Sequence, residues 1–315
     1  MIKIVAEEIL GTWQHLLNHD ANVSKSFKEI KHNSFVFPGG EVGFKLTETE
    51  HLAKSHKTVV YARLQNSNDV MKLIMAKNAL DHQALQAGTT ANIHLVCPYV
   101  PYARQDRVCT DGEAFSLGAF CNLLNSLNFK TVTIYDPHSD VTPALINNCK
   151  VVSQLDIIKK FDALASRLAN GFKFVSPDAG ANKKTAKLAQ AFGHSDFIRA
   201  DKLRDLSSGT ILETVVYADD LQGQAICIAD DICDGGRTFT ALAKELKKKN
   251  AGDIILYVTH GIFSAGFDEF TKAGISTIYC TNSFGAKTNT GKHEKVIGSF
   301  DNPMVVELDV YQHGA

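Results

Sequence analysis

Strand-like and helix-like stretches alternate along this chain, and that alternation narrows its fold more than any other feature. Short β-branched or apolar runs at residues 57–62, 91–97, 131–135, 173–175, 225–229, 254–259 and 276–280 read as strands. Between them, residues 69–87, 114–127, 183–191 and 238–249 carry apolar side chains at helical spacing. Strands separated by helices pair in parallel, so the pattern predicts parallel sheets covered on both faces, with ligands at the carboxyl ends of the strands. The pattern runs twice in 315 residues, more than one small domain needs. The expectation is an α/β protein of two similar domains, residues 1–150 and 151–300, each with a mainly parallel sheet flanked by helices. A final apolar strand near residues 304–310 would return to the first domain.

Composition removes several classes of function. Apolar residues make up 44% and charged residues 21%, the balance of an ordinary globular protein. The net charge of -1 gives no global field towards nucleic acid or an anionic membrane, so neither is an expected partner and any anion must be held by local geometry. No apolar stretch approaches the roughly 18 residues of a membrane span. The seven cysteines are scattered and form no C-x-x-C pair, which fits a reducing compartment and predicts a cytoplasmic protein.

The richest segment is Ala225-Ile-Cys-Ile-Ala-Asp-Asp-Ile-Cys-Asp-Gly-Gly-Arg-Thr-Phe-Thr240: an apolar strand ending in two acids, a glycine turn, then a helix. Gly235 and Gly236 let a ligand approach the backbone, and the amides from Asp234 through Arg237 to Thr238 form a partly positive cup suited to phosphate. The Thr238 hydroxyl adds a donor. Asp230 and Asp231 can accept hydrogen bonds from two neighbouring sugar hydroxyls. The plainer alternative is a strand-to-helix turn in which Asp234 caps the helix, and that leaves the adjacent acids unexplained. The segment resembles the phosphoribosyl pyrophosphate motif shared by type I phosphoribosyltransferases and phosphoribosyl pyrophosphate synthetases.

Other segments favour the synthetases. Pro98-Tyr-Val-Pro-Tyr-Ala-Arg-Gln-Asp-Arg107 resembles their ATP-contacting signature, which implies ATP-binding roles for Arg104, Gln105, Asp106 and Arg107. The two arginines offer guanidinium forks for phosphate, and Gln105 can read a polar edge of base or ribose. Phe37-Pro-Gly-Gly-Glu-Val42 is similar to the family's adenine-contacting region, with Phe37 and Glu41 matching and Gly39 in place of Asn. Ile134-Tyr-Asp-Pro-His-Ser139 and Val175-Ser-Pro-Asp-Ala-Gly180 resemble two metal motifs, implying Mg²⁺ at His138 and Asp178. Spacing alone would not single out His138, because Mg²⁺ prefers oxygen ligands. Lys202 and Arg204, placed beyond the next strand, look like the family's catalytic Lys-x-Arg pair, whose charges would stabilise a diphosphoryl transition state. Departures are Pro137 for Leu, the Asp-Gly-Gly-Arg-Thr turn, and a tail after Ser283 unlike the family's helical ending.

The resemblance implies two phosphoribosyltransferase-type domains: ATP bound by the first, ribose 5-phosphate by the second, in a homo-oligomer that is at least a dimer. It also implies a Mg²⁺-dependent ribose-phosphate diphosphokinase that moves the β,γ-diphosphoryl group of ATP to O1 of ribose 5-phosphate. A type I phosphoribosyltransferase, or a non-catalytic regulatory homologue of the synthetase, are the alternatives. Three further features suggest no ligand. Gly285-Ala-Lys-Thr-Asn-Thr-Gly-Lys292 has five residues between its glycines where a Walker A loop has four, and reads as a surface loop. Lys247 to Lys249 close a helix, where cations complement the dipole. Phe115 and Phe120 read as core residues.

Overall fold

The computed structural model describes residues 1–10, 24–52, 55–204, 211–285, 294–297 and 304–311. The chain divides into two compact units, Met1–Val151 and Val152–Ala315.

The first unit contains the strands β1 (Ile2–Leu10), β2 (Ser24–Ile30), β3 (His32–Val36), β4 (Val42–Leu46), β5 (Lys57–Ala62), β6 (Ile93–Val96) and β7 (Val132–Tyr135). β8 (Cys149–Val152) is its last, and the sheet runs β2-β1-β5-β6-β7-β8. β5, β6 and β7 pair in parallel, while β1 joins β2 and β5 antiparallel. β3 and β4 form a separate hairpin, whose second strand packs against helix α1 (Ser67–Gln86). Helix α1 begins where the Asn66 side chain accepts the Asp69 amide at 3.1 Å, a side-chain cap on one of the free amides at the helix start. Helices α2 (Ser116–Ser126) and α3 (Val141–Leu145) follow β6 and β7. Leu73, Leu95, Leu117, Phe120 and Ile134 lie in the core beneath them. Phe120 is buried as its spacing predicts, but Phe115 precedes the helix and is 38% exposed.

The second unit has α4 (Gln154–Ile158), α5 (Asp162–Ala169), α6 (Asn182–Ala191), α7 (Arg237–Lys248) and α8 (Asp268–Lys272). Its strands are β9 (Phe172–Ser176), β10 (Ile198–Arg204), β11 (Ile211–Val216), β12 (Ala225–Cys233), β13 (Ile254–Gly261), β14 (Ile275–Thr281), β15 (Glu294–Ile297) and β16 (Met304–Leu308). They form one sheet, β11-β10-β9-β12-β13-β14-β16-β15, parallel from β10 to β16 with an antiparallel strand at each edge. β13 is buried along its whole length, as a strand covered on both faces must be. α7 covers one face through Phe239, Leu242 and Leu246. Phe161 packs edge-on against Tyr257 and Tyr279, with ring centroids 6.2 Å apart in each case.

One expectation is corrected. The last strand, β16, does not return to the first unit: it pairs in parallel with β14, Thr277 opposite Met304 through Thr281 opposite Leu308. Buried Val305 and Val306 extend the second core, so this edge is where an apolar strand gains most. Asn282 and Tyr311 lock it further, Tyr311 by donating its hydroxyl to the Ser283 carbonyl at 2.9 Å. The glycine-lysine segment at residues 286–292 lies outside the described residues. Lys247 and Lys249 donate to the backbone carbonyls of Gly252 and Ala218, outside the helix they end, so they tie it to neighbouring loops.

Candidate functional site

Parallel pairing puts the carboxyl ends of β9, β10, β12 and β13 on one rim of the second sheet. The acid pair is the centre of that rim. β12 does not stop at the acids, as its sequence suggested, but continues through them to Cys233. Asp230 pairs with Val258 of β13, so the acids are held by the ladder instead of by a loop. Asp231 is 5% exposed, and its amide donates to the Asp230 carboxylate at 2.9 Å. The Gln154 amide, at the start of α4, donates to the Asp230 carbonyl at 2.9 Å. Burial, and then the neighbouring Asp231 charge, push the Asp230 carboxyl well above the usual carboxylate range, with Asp178 adding to the effect. Asp230 therefore keeps its proton to higher pH than a free carboxyl does.

The glycine turn follows. Gly236 has a φ of +77°, and an added Cβ would overlap the Phe270 ring, so only glycine fits without strain. α7 starts at Arg237 with no side-chain cap. The plain reading in which Asp234 caps this helix therefore fails: the Asp234 carboxylate instead accepts the Ser264 hydroxyl at 2.6 Å. The start of α7 is left open to an anion, with Arg237 and Gly235 exposed and Thr238 half-buried beside it.

Beyond β9, the Asp178 side chain accepts the Ala181 amide at 3.1 Å, and the Ser176 hydroxyl donates to the Asp178 carbonyl at 2.8 Å. The other Asp178 oxygen forms an ion pair with Lys202. Lys202 lies within β10 and not in a loop beyond it, opposite Thr214 of β11, with a register shift between Leu203 and Arg204. The Arg204 side chain lies outside the described part of the structure. Asp178, Lys202, Asp230 and Asp231 are thus brought to one rim. Among the described residues no three His, Cys, Asp or Glu side chains form a closed metal cluster. Mg²⁺ suits such a site, because it is usually held by one or two carboxylates and by substrate phosphate oxygens. Carboxylates whose neighbouring charges raise the Asp230 carboxyl also favour a cation.

In the first unit the segment after β6 is an irregular loop with a fixed backbone. Pro98 accepts the Tyr135 amide at 3.0 Å, and Gln105 accepts the Leu117 amide at 3.3 Å. Tyr102 takes a φ of +64° and stands 5.9 Å from the Phe120 ring. Arg104, Gln105 and Arg107 are exposed, whereas Asp106 is buried and receives the Arg107 Nε at 3.0 Å. Burial pushes the Asp106 carboxyl up, but the Ser139 hydroxyl, Arg107 and His138 more than offset this and hold it below its usual range. Asp106 thus supports the loop from beneath. His138 is exposed, and Asp136, two residues earlier, is buried at a φ of +37°. Such conformations store strain and gather at functional sites. Phe37 and Glu41 face each other across the turn of the β3–β4 hairpin, where the Phe37 amide donates to the Glu41 carbonyl at 2.8 Å. Both are exposed.

Sequence reasoning missed Gln154, Ser264 and Phe270, and gave no role to Asp136 within its Asp-x-His motif. The first two carry no motif and enter through parallel strand order: in such a sheet the loops after neighbouring strands share a rim.

No family model matches the chain. It is similar to the ribose-phosphate pyrophosphokinase of Mycoplasmopsis pulmonis, 26% identical over 84% of this chain and 80% of the relative. The enzyme of that name from Thermococcus kodakarensis is 27% identical, over 78% and 83% respectively. For Thermosipho africanus the values are 28%, 78% and 76%. The fold is that of phosphoribosylpyrophosphate synthetase from Mycobacterium smegmatis, with a TM-score of 0.72 at 20% identity, covering 89% of this chain and 86% of that one.

Proposed function

We propose that this chain is a divergent ribose-phosphate pyrophosphokinase, which transfers the β,γ-diphosphoryl group of ATP to O1 of ribose 5-phosphate and releases AMP. The observation that carries this reading is the rim of the second unit, where an acid pair in β12 adjoins an uncapped glycine turn and the Asp178–Lys202 ion pair. The glycine turn and the start of α7 take the 5-phosphate, and Asp230 and Asp231 hold the ribose hydroxyls. Arg104, Gln105 and Arg107, with Phe37 and Glu41, bind ATP in the first unit.

The sugar O1 hydroxyl attacks the β-phosphorus in line: the O1–phosphorus bond forms, the bond to the AMP oxygen breaks, and the hydroxyl proton is released to solvent. Positioning and electrostatics carry such a transfer, with no covalent enzyme intermediate. Lys202, with Arg204, neutralises the charge that develops on the moving group. Asp178 and His138, each within its own unit, are the residues that would hold Mg²⁺, which when bound neutralises diphosphoryl oxygens. The Lys202 ammonium rests on Asp178, which keeps the catalytic cation beside the residue that would hold Mg²⁺. The β3–β4 hairpin exposes Phe35, Val36 and Phe37 at 44%, 48% and 49%, which supports assembly as a dimer or larger homo-oligomer. Seven free cysteines suit the reducing cytoplasm.

The reading is tested by incubating purified protein with ATP, ribose 5-phosphate and Mg²⁺ and separating the nucleotides. AMP and phosphoribosyl pyrophosphate in equal amounts are expected. Ligand binding without AMP would favour a regulatory homologue. Consumption of phosphoribosyl pyrophosphate with a nitrogenous base, independent of ATP, would favour a transferase.

A further inference from the structure

The proposed reaction uses the loop after β12 but leaves the loop after β13 without a role. That loop is tied closely to the phosphate turn. The Cys233 carbonyl, at the end of β12, accepts the amides of Ile262 at 2.8 Å and Phe263 at 3.2 Å. Phe263 is 8% exposed and adopts a φ of +48°, and an added Cβ at Gly261 would overlap its ring. A bulky residue held in the left-handed region costs energy and persists only where its surroundings fix it. Here they do: the Phe263 ring packs tilted against Phe267 at 4.9 Å and meets Phe270 edge-on at 6.0 Å, and Phe270 is the side chain that leaves room only for glycine at Gly236. The strained elbow thus delivers Ser264, which is exposed, to the glycine turn. Its hydroxyl donates to Asp234 at 2.6 Å and lies 4.0 Å from the Cβ position of Gly235.

We infer that Ser264 is a positioning residue of the sugar-phosphate site, holding the Asp234 carboxylate so that it does not oppose the incoming phosphate. This rests on reading the glycine turn as the 5-phosphate site. An ionised carboxylate at the mouth of an anion cup repels its ligand unless its charge is engaged by a donor. Ser264 supplies that donor from a neighbouring strand end, so ligand affinity depends on a residue outside the glycine segment.

The test is calorimetric titration of the full chain with ribose 5-phosphate, and with inorganic phosphate as a second probe, alongside steady-state kinetics and thermal melts. Ser264→Ala should weaken ribose 5-phosphate binding roughly tenfold, the order of one hydrogen bond to a charged group. KM for ribose 5-phosphate should rise more than kcat or KM for ATP changes, Ser264→Thr should restore it, and the melting temperature should hold. In an Asp234→Asn background Ser264→Ala should cost nothing further, since the two act as a pair. Wild-type affinity in Ser264→Ala would overturn the inference while leaving the site reading intact. A wild-type protein that binds neither ribose 5-phosphate nor phosphate would overturn both.

Discussion

The two units present their candidate ligand groups in opposite ways. In the second unit the acids sit inside a hydrogen-bonded strand, Asp231 is 5% exposed, and the glycine turn rests on Phe270. In the first, Arg104, Gln105 and Arg107 are exposed on an irregular loop whose backbone is hydrogen-bonded and whose buried Asp106 receives Arg107 from beneath. A small, stiff sugar phosphate can be met by a preorganised cup, whereas ATP is long and flexible and suits side chains that adapt to it. The difference teaches that the same α/β rim can be built for precision or for reach. Glycine and sheet acids give the first; long cations on a loop give the second.

The largest expected effect lies where chemistry and not binding is at stake. Lys202→Ala should lower kcat by about a thousandfold or more, the scale of a cation that stabilises phosphoryl transfer, with ribose 5-phosphate affinity nearly kept in calorimetry. Next, Gly236→Ala should break the preorganised side: overlap with Phe270 at a φ of +77° should cost roughly 1–3 kcal/mol in denaturant unfolding and weaken ribose 5-phosphate at least tenfold. On the adaptable side, Arg104→Ala should raise KM for ATP roughly tenfold and leave unfolding unchanged, because the side chain is exposed. If both substitutions perturbed stability alike, the contrast between the units would be lost.

The smallest effect concerns pH. The Asp230 carboxyl is raised above its usual range by burial and by Asp231, so ionising it works against folding. That penalty is absent below the unfolded value near pH 4, grows as pH rises, and is complete above the folded value. Asp230→Asn should therefore melt roughly 2–4 °C higher than wild type near neutral pH, with the advantage fading towards pH 4, while activity falls. A variant less stable at neutral pH would show that the acid pair is better satisfied than its burial implies.

Most of this architecture was legible in the chain. Residues 57–62 form β5 as their β-branched run suggests, and α7 begins one residue before the reading from periodicity. The hairpin of β3 and β4 was not legible as strands, because β3 is largely exposed, β4 is half-buried, and neither carries a buried alternation. β16 was found as a strand but assigned to the wrong sheet, since an apolar run states that it will be buried and not against what. At the candidate site, Asp230 and Asp231 stood out because adjacent acids at a strand end have no packing role, and the glycine turn because only glycine fits the left-handed φ of Gly236. Ser264 and Gln154 were not, because they enter only through the order of parallel strands.

Diphosphoryl transfer can be followed directly with labelled ATP. With ³²P at the β-phosphorus, together with ribose 5-phosphate and Mg²⁺, the label should appear on the sugar product in step with AMP release, and should fail to do so with Lys202→Ala. Label retained in ADP, or left in intact ATP while ribose 5-phosphate binds normally, would contradict the account.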